Sequence, residues 1–218
     1  MFEREIKRYK ALNSLAEQGG IVIFGGERDL EIPVCELKQA FALDGDIYNR
    51  SVAGLSVMNA AELYEEVAGE LHPDTVILHI GGADKELFCE KPEEFDAKYR
   101  KLIGMIRESD KKCEIVIVSL KNYSEDVHVQ ELNRHLKYIA ESERCKYADI
   151  SVKRVWNPRQ TKDVVSFVYS TGFVRPLRNR RQVYDLVKIL FCYEDGSADV
   201  SMENVGTCVK ELKVVTEG

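Results

Sequence analysis

The stretch IVIFGGERDL, Ile21 to Leu30, decides how the chain is read. Four apolar residues, apolar on both parities, stop at two glycines and give way at once to charge. A run of that kind must be covered on both faces, as a strand inside a parallel sheet is. Gly25-Gly26 is then a tight corner, and the loop Glu27-Arg28-Asp29 starts beyond the carboxyl end of the strand, where doubly wound sheets keep their ligands.

Working outward, Phe2, Ile6, Tyr9, Leu12 and Ala16 recur at steps of three and four, predicting a helix over Phe2 to Glu17 that ends at Gln18-Gly19-Gly20. Downstream, Asp46 to Val52, Asp74 to Gly81, Glu114 to Leu120 and Lys146 to Ser151 read as further strands. Helix-period segments separate them: Met58, Ala61, Leu63 and Val67 on one, Phe95, Tyr99, Leu102 and Ile106 on a second, Leu132, Leu136 and Ile139 on a third. This alternation predicts right-handed βαβ crossovers and an α/β fold with a five-stranded parallel sheet over residues 1–150. Residues 151–218 differ in texture. The runs DVVSFVY, QVYDLVKILFCYE, SADVSM and TCVKELKVV read as strands, with a turn at Glu194-Asp195-Gly196-Ser197, and predict a β-rich C-terminal extension packed on the first domain or used for assembly.

Composition narrows the function classes. A chain of 218 residues, 44% hydrophobic and 31% charged, can bury one good-sized core with an appendage. Its net charge of -6 opposes general attraction to nucleic acid or anionic lipid. The charged, amphipathic N-terminus lacks a signal-peptide core and no run approaches membrane-spanning length, so a cytoplasmic protein with neither nucleic acid nor membrane as partner is expected. Six cysteines, at 35, 89, 113, 145, 192 and 208, show no C-x-x-C spacing and are expected as reduced thiols. No cofactor or metal is expected. The corner Gly25-Gly26-Glu27-Arg28-Asp29 has neither the G-x-G-x-x-G spacing nor a GK[ST] ending, and Glu27 would repel a phosphate.

Three loops at consecutive strand ends together resemble the SGNH hydrolases, the GDSL esterase and lipase family. IVIFGGERD is similar to the first block, in which a strand runs into Gly-Asp-Ser: Gly25 is kept, Gly26 replaces the aspartate and Glu27 the serine. Asn49-Arg50-Ser51-Val52-Ala53-Gly54 is similar to the second, and the resemblance implies that the Gly54 N–H would face an oxyanion. Gly81-Gly82-Ala83-Asp84 is similar to the third, with Ala83 in place of an oxyanion-binding asparagine. The Asp-x-x-His that supplies the base near the C-terminus of the family has no counterpart, because His72, His79, His128 and His135 all precede residue 136. The resemblance implies a flavodoxin-like three-layer α/β/α fold over residues 18–151 and a serine-hydrolase ancestry.

Serine esterase chemistry needs a hydroxyl, a base within reach and donors for the oxyanion. Losing one oxyanion donor costs about 10²–10³ in rate, and losing nucleophile or base costs more. With all three changed, the preferred expectation is a catalytically degenerate protein whose crevice binds a small molecule or a protein. That crevice would be built from Gly25, Gly26, Glu27, Arg28, Asn49, Gly54, Gly81, Gly82, Ala83 and Asp84. A second expectation is a hydrolase rebuilt on carboxylates, with Glu27 as base or metal ligand and Asp84 or Asp29 assisting. Against it stands a structural role: Asp84 bracing its turn, and Glu27 paired with Arg28 or Arg50. His79, inside the third strand, is expected as a satisfied core residue. A third expectation is a homodimer formed through the β-rich extension. Eight basic residues and a single acidic one, Asp163, between Lys153 and Arg181, interleaved with Trp156, Phe167, Tyr169 and Phe173, would form a solvated basic face or an anion-binding surface.

Overall fold

The structure, a computed structural model, describes residues 2–40, 43, 45–122, 125–151 and 180–192. Five strands form one parallel sheet in the order β2-β1-β3-β4-β5: β1 (Ile21–Gly25), β2 (Ile47–Asn49), β3 (Thr75–His79), β4 (Glu114–Val118) and β5 (Lys146–Ala148). This is the doubly wound arrangement that the strand–helix alternation predicts, and the chain reverses direction across the sheet between β1 and β3. The register sets Ile21 beside Thr75 and, four residues on, Gly25 beside His79, so the ends of these two strands lie side by side.

Both parities of β1 are apolar because both faces are covered. Val22, Phe24, Val76, Leu78, Ile115 and Ile117 point to one layer, made by α1 (Glu3–Asn13), α3 (Val57–Ala68), α5 (Pro92–Ser109) and α6 (Val127–Ser142). Ile21, Ile23, Ile77, Val116 and Val118 point to the other, covered by α2 (Val34–Ala40) and α7 (Arg180–Cys192). A short helix, α4 (Lys85–Glu90), follows β3. Helix α3 begins cleanly: Ser56 accepts from the Met58 N–H while the Asn59 side chain accepts from the Ser56 N–H, a reciprocal cap that matches two otherwise orphaned donors. Within this helix Val57, Ala60, Ala61, Leu63, Tyr64, Val67 and Ala68 are buried; Met58, expected with them, is exposed.

One reading of the sequence is corrected here. Of QVYDLVKILFCYE, expected as a strand of a β-rich extension, Gln182 to Cys192 lie in a helix, α7, and the last two residues lie outside the described residues. Leu186, Val187, Leu190 and Phe191 are spaced for one helical face and are buried against Ile23, Ile77 and Val116, so the second face of the sheet selects the helical period over the strand propensity of its β-branched residues. The other expected strands of the extension, its turn at 194–197 and the basic aromatic stretch up to residue 179 lie outside the described residues. Among the described residues no helix is long and apolar enough to cross a membrane.

Candidate functional site

The loops after β1, β2, β3 and β4 surround a crevice of about 930 Å³ at the carboxyl edge of the sheet. Of the residues expected there, Gly26, Glu27, Arg28, Gly54, Gly81, Gly82 and Ala83 line it. Asp29, expected as an assisting carboxylate, lines it too. Gly25, Asn49 and Asp84 do not line it and act from behind. Leu55, Leu120, Val129, Leu190 and Phe191 add apolar wall, the last two from α7.

The first corner is built around Asp29. Residues Glu27–Glu31 form one 3-10 turn, and the carboxylate of Asp29, only 4% exposed, folds back over the strand end. Its Oδ2 accepts from the Gly26 N–H at 3.0 Å. A Cβ on Gly25 would lie 1.9 Å from that oxygen, so glycine is required at 25 by close approach. The Asn49 amide donates to the Asp29 carbonyl at 2.6 Å, while its Oδ1 accepts from the Ser51 N–H, tying the second loop to the first. Glu27 is exposed and lines the crevice.

Asp29 also meets His79. Both carboxylate oxygens lie 2.9 Å from His79 Nδ1, and the pair is largely buried. His79 Nε2 is buried and has no hydrogen-bond partner among the described residues; the Phe191 ring meets the imidazole edge-on, with centroids 5.0 Å apart. The expectation of a satisfied core histidine is therefore corrected: one nitrogen is matched, the other is not, and the residue is part of the crevice wall. A carboxylate–imidazole pair exists here although no Asp-x-x-His motif does, because the sheet order puts the ends of β1 and β3 together.

Asp84 has a different task. Only 2% exposed, it accepts from Ser56 Oγ at 2.5 Å and from the Val57 N–H at 3.2 Å, closing the first turn of α3. Burial pushes its carboxyl above the usual range, and these two hydrogen bonds pull against that shift. Asp29 and Asp84 are thus committed to separate partners, and among the described residues no group of three or more His, Cys, Asp or Glu side chains is gathered to hold a metal ion. Arg50, considered as a partner for Glu27, instead donates to Asn13 Oδ1 at 2.9 Å and to the Asn49 carbonyl, with its guanidinium against the Tyr9 and Tyr48 rings.

Among the described residues, the serines and cysteines near the strand ends are otherwise engaged or shielded. Ser51 is fully buried, Ser56 donates to Asp84, and Ser119 donates to Asp149 while accepting from the Ile150 N–H. Burial pushes the thiols of Cys113 and Cys145 up to about 12 and about 11, away from the thiolate form that attacks. His135 is paired with Asp96, and His128 lies 3.6 Å from the exposed Cys89.

Comparison with known proteins agrees with the fold. Similar solved structures include a GDSL-like lipase from Bacteroides thetaiotaomicron, 13% identical, covering 83% of this chain and 93% of its own with a TM-score of 0.53. An acetyl xylan esterase is 10% identical and covers 80% and 99%, with a TM-score of 0.55. A Streptococcus protein provisionally assigned as a platelet activating factor is 18% identical and covers 90% and 92%, with a TM-score of 0.58. At such identities the likeness speaks to fold. No curated protein matches the sequence. The match that reaches family level runs over residues 14–168, from the end of α1 through all five strands, and by it the chain belongs to the GDSL-like lipase/acylhydrolase family.

Proposed function

We propose that this family member has given up acyl transfer through a serine and keeps the crevice as a binding pocket for a small molecule. The observation that carries this reading is the closure of the first corner by Asp29. It takes the Gly26 N–H and pins His79, while the nucleophile position at the crevice is held by the exposed carboxylate Glu27. A glutamate there offers no hydroxyl for a base to activate in serine-type acyl transfer. Ala83 offers the crevice only a methyl group. The rebuilt carboxylate hydrolase is the weaker reading, since Asp84 is held at the start of α3 behind the wall. The homodimer rests on segments outside the described residues.

Hydrolysis of short-chain p-nitrophenyl esters, with and without added divalent cations, tests the proposal. Wild type and Glu27→Ala are both expected to match the protein-free rate. Turnover by wild type that disappears in Glu27→Ala would replace the binding reading with the carboxylate one.

A further inference from the structure

Asp29 fixes more than the shape of the corner. A carboxylate is an acceptor only, so its contact with His79 Nδ1 requires the proton on that nitrogen. A neutral imidazole protonated at Nδ1 carries its lone pair at Nε2, and Nε2 is buried with no partner among the described residues. Buried polar atoms are almost always matched, and an unmatched one in a native protein calls for a specific explanation. Its surroundings supply one. His79 is part of the crevice wall, with Phe191 against its ring and Leu55, Leu120 and Leu190 in the same wall. The crevice carries charges of both signs, Arg28, Lys85 and Lys121 beside Glu27 and Asp29, so the local chemistry is set by the acceptor nitrogen, which disfavours an acceptor-only group such as a carboxylate and favours a neutral donor.

Resting on the crevice as a binding pocket, we infer that His79 Nε2 is the polar reader of that pocket. It takes a neutral ligand that presents a hydroxyl or N–H donor on an apolar arm, the donor pairing with Nε2 and the arm lying along Phe191 and the leucines. A site that hydrogen-bonds a hydroxyl rejects the analogue lacking it, because its own buried group is then left unpaired. Asp29 is the positioning residue, since it sets which nitrogen accepts.

Benzyl alcohol and benzyl methyl ether share the ring and differ in the donor, so they serve as probes. In full-length protein labelled with ¹⁵N-histidine, His79 is expected as the Nδ1–H tautomer. Benzyl alcohol should move its Nε2 resonance and bind at least about tenfold more tightly than the ether. Phe191→Ala should weaken both probes, because the apolar arm lies along that ring, and His79→Phe should abolish the preference. The wild-type tautomer and alcohol-to-ether ratio decide the matter even if His79→Phe does not fold. An Nε2–H tautomer, or equal affinity for the two probes, would overturn the inference while leaving the pocket in place. Failure of both probes to move the methyl signals of Leu55, Leu120 and Leu190 would overturn the pocket itself.

Discussion

Replacing Gly25 by alanine is expected to destabilise the protein by about 3 kcal/mol, combining overpacking with loss of hydrogen bonds to a buried carboxylate. The new methyl group would lie 1.9 Å from Asp29 Oδ2 and 2.8 Å from its Cγ. Asp29 cannot simply turn away, because the same carboxylate accepts from the Gly26 N–H and is held against His79. Displacing it strands a buried donor and an imidazole together. Gly26 provides the control: a Cβ there meets nothing within 4 Å, and its backbone at φ -86° is open to any residue. Gly26→Ala should therefore stay within about 1 kcal/mol of wild type. Urea unfolding of the two variants checks the contrast, and equal midpoints would mean that Asp29 is not the element closing this corner.

The second large effect belongs to Asp84. Truncation by Asp84→Ala removes the acceptor for both Ser56 Oγ and the Val57 N–H at the start of α3 and should cost about 2–3 kcal/mol. Asp84→Asn keeps an acceptor and should cost less, in a pH-dependent way. Because burial raises the Asp84 carboxyl above its ordinary 3.8, the folded protein holds this proton more tightly than the unfolded chain. Between 3.8 and that raised value, wild type therefore loses stability as pH rises, and the asparagine variant does not. The cost of Asp84→Asn should be largest near about pH 3.5 and shrink toward neutrality. Urea midpoints of both proteins at the two pH values give the difference directly. A cost that grows with pH would mean that the hydrogen bonds outweigh burial.

Much of this arrangement was legible in residue order. Apolar residues on both parities of Ile21 to Phe24 and Val76 to Leu78 announce strands covered on both sides, and both layers are present. The loops that line the crevice were found by the same logic, since ligand loops follow strand ends. Three features were not legible, each for a physical reason. The helical state of residues 180–192 is imposed by the sheet face that Leu186 and Leu190 cover, which local propensity does not report. The task of Asp84 depends on where α3 starts in space, 28 residues earlier in the chain. The Asp29–His79 pair spans 50 residues and exists because β1 and β3 are neighbours. Laying the two predicted strands side by side in parallel, which the structure does with Gly25 beside His79, was the signal that could have exposed it. The family resemblance pointed away from it, to a histidine near the C-terminus that this chain does not have.

A pocket that has given up serine chemistry holds no activated hydroxyl at the crevice. Intact-protein mass after exposure to a fluorophosphonate, which phosphonylates activated serines, tests this most directly. The expected result is an unshifted mass, because Ser51 is buried while Ser56 and Ser119 are hydrogen-bonded into the scaffold. A stoichiometric adduct mapped to any one of these serines would show that serine chemistry survives here, and would contradict the account.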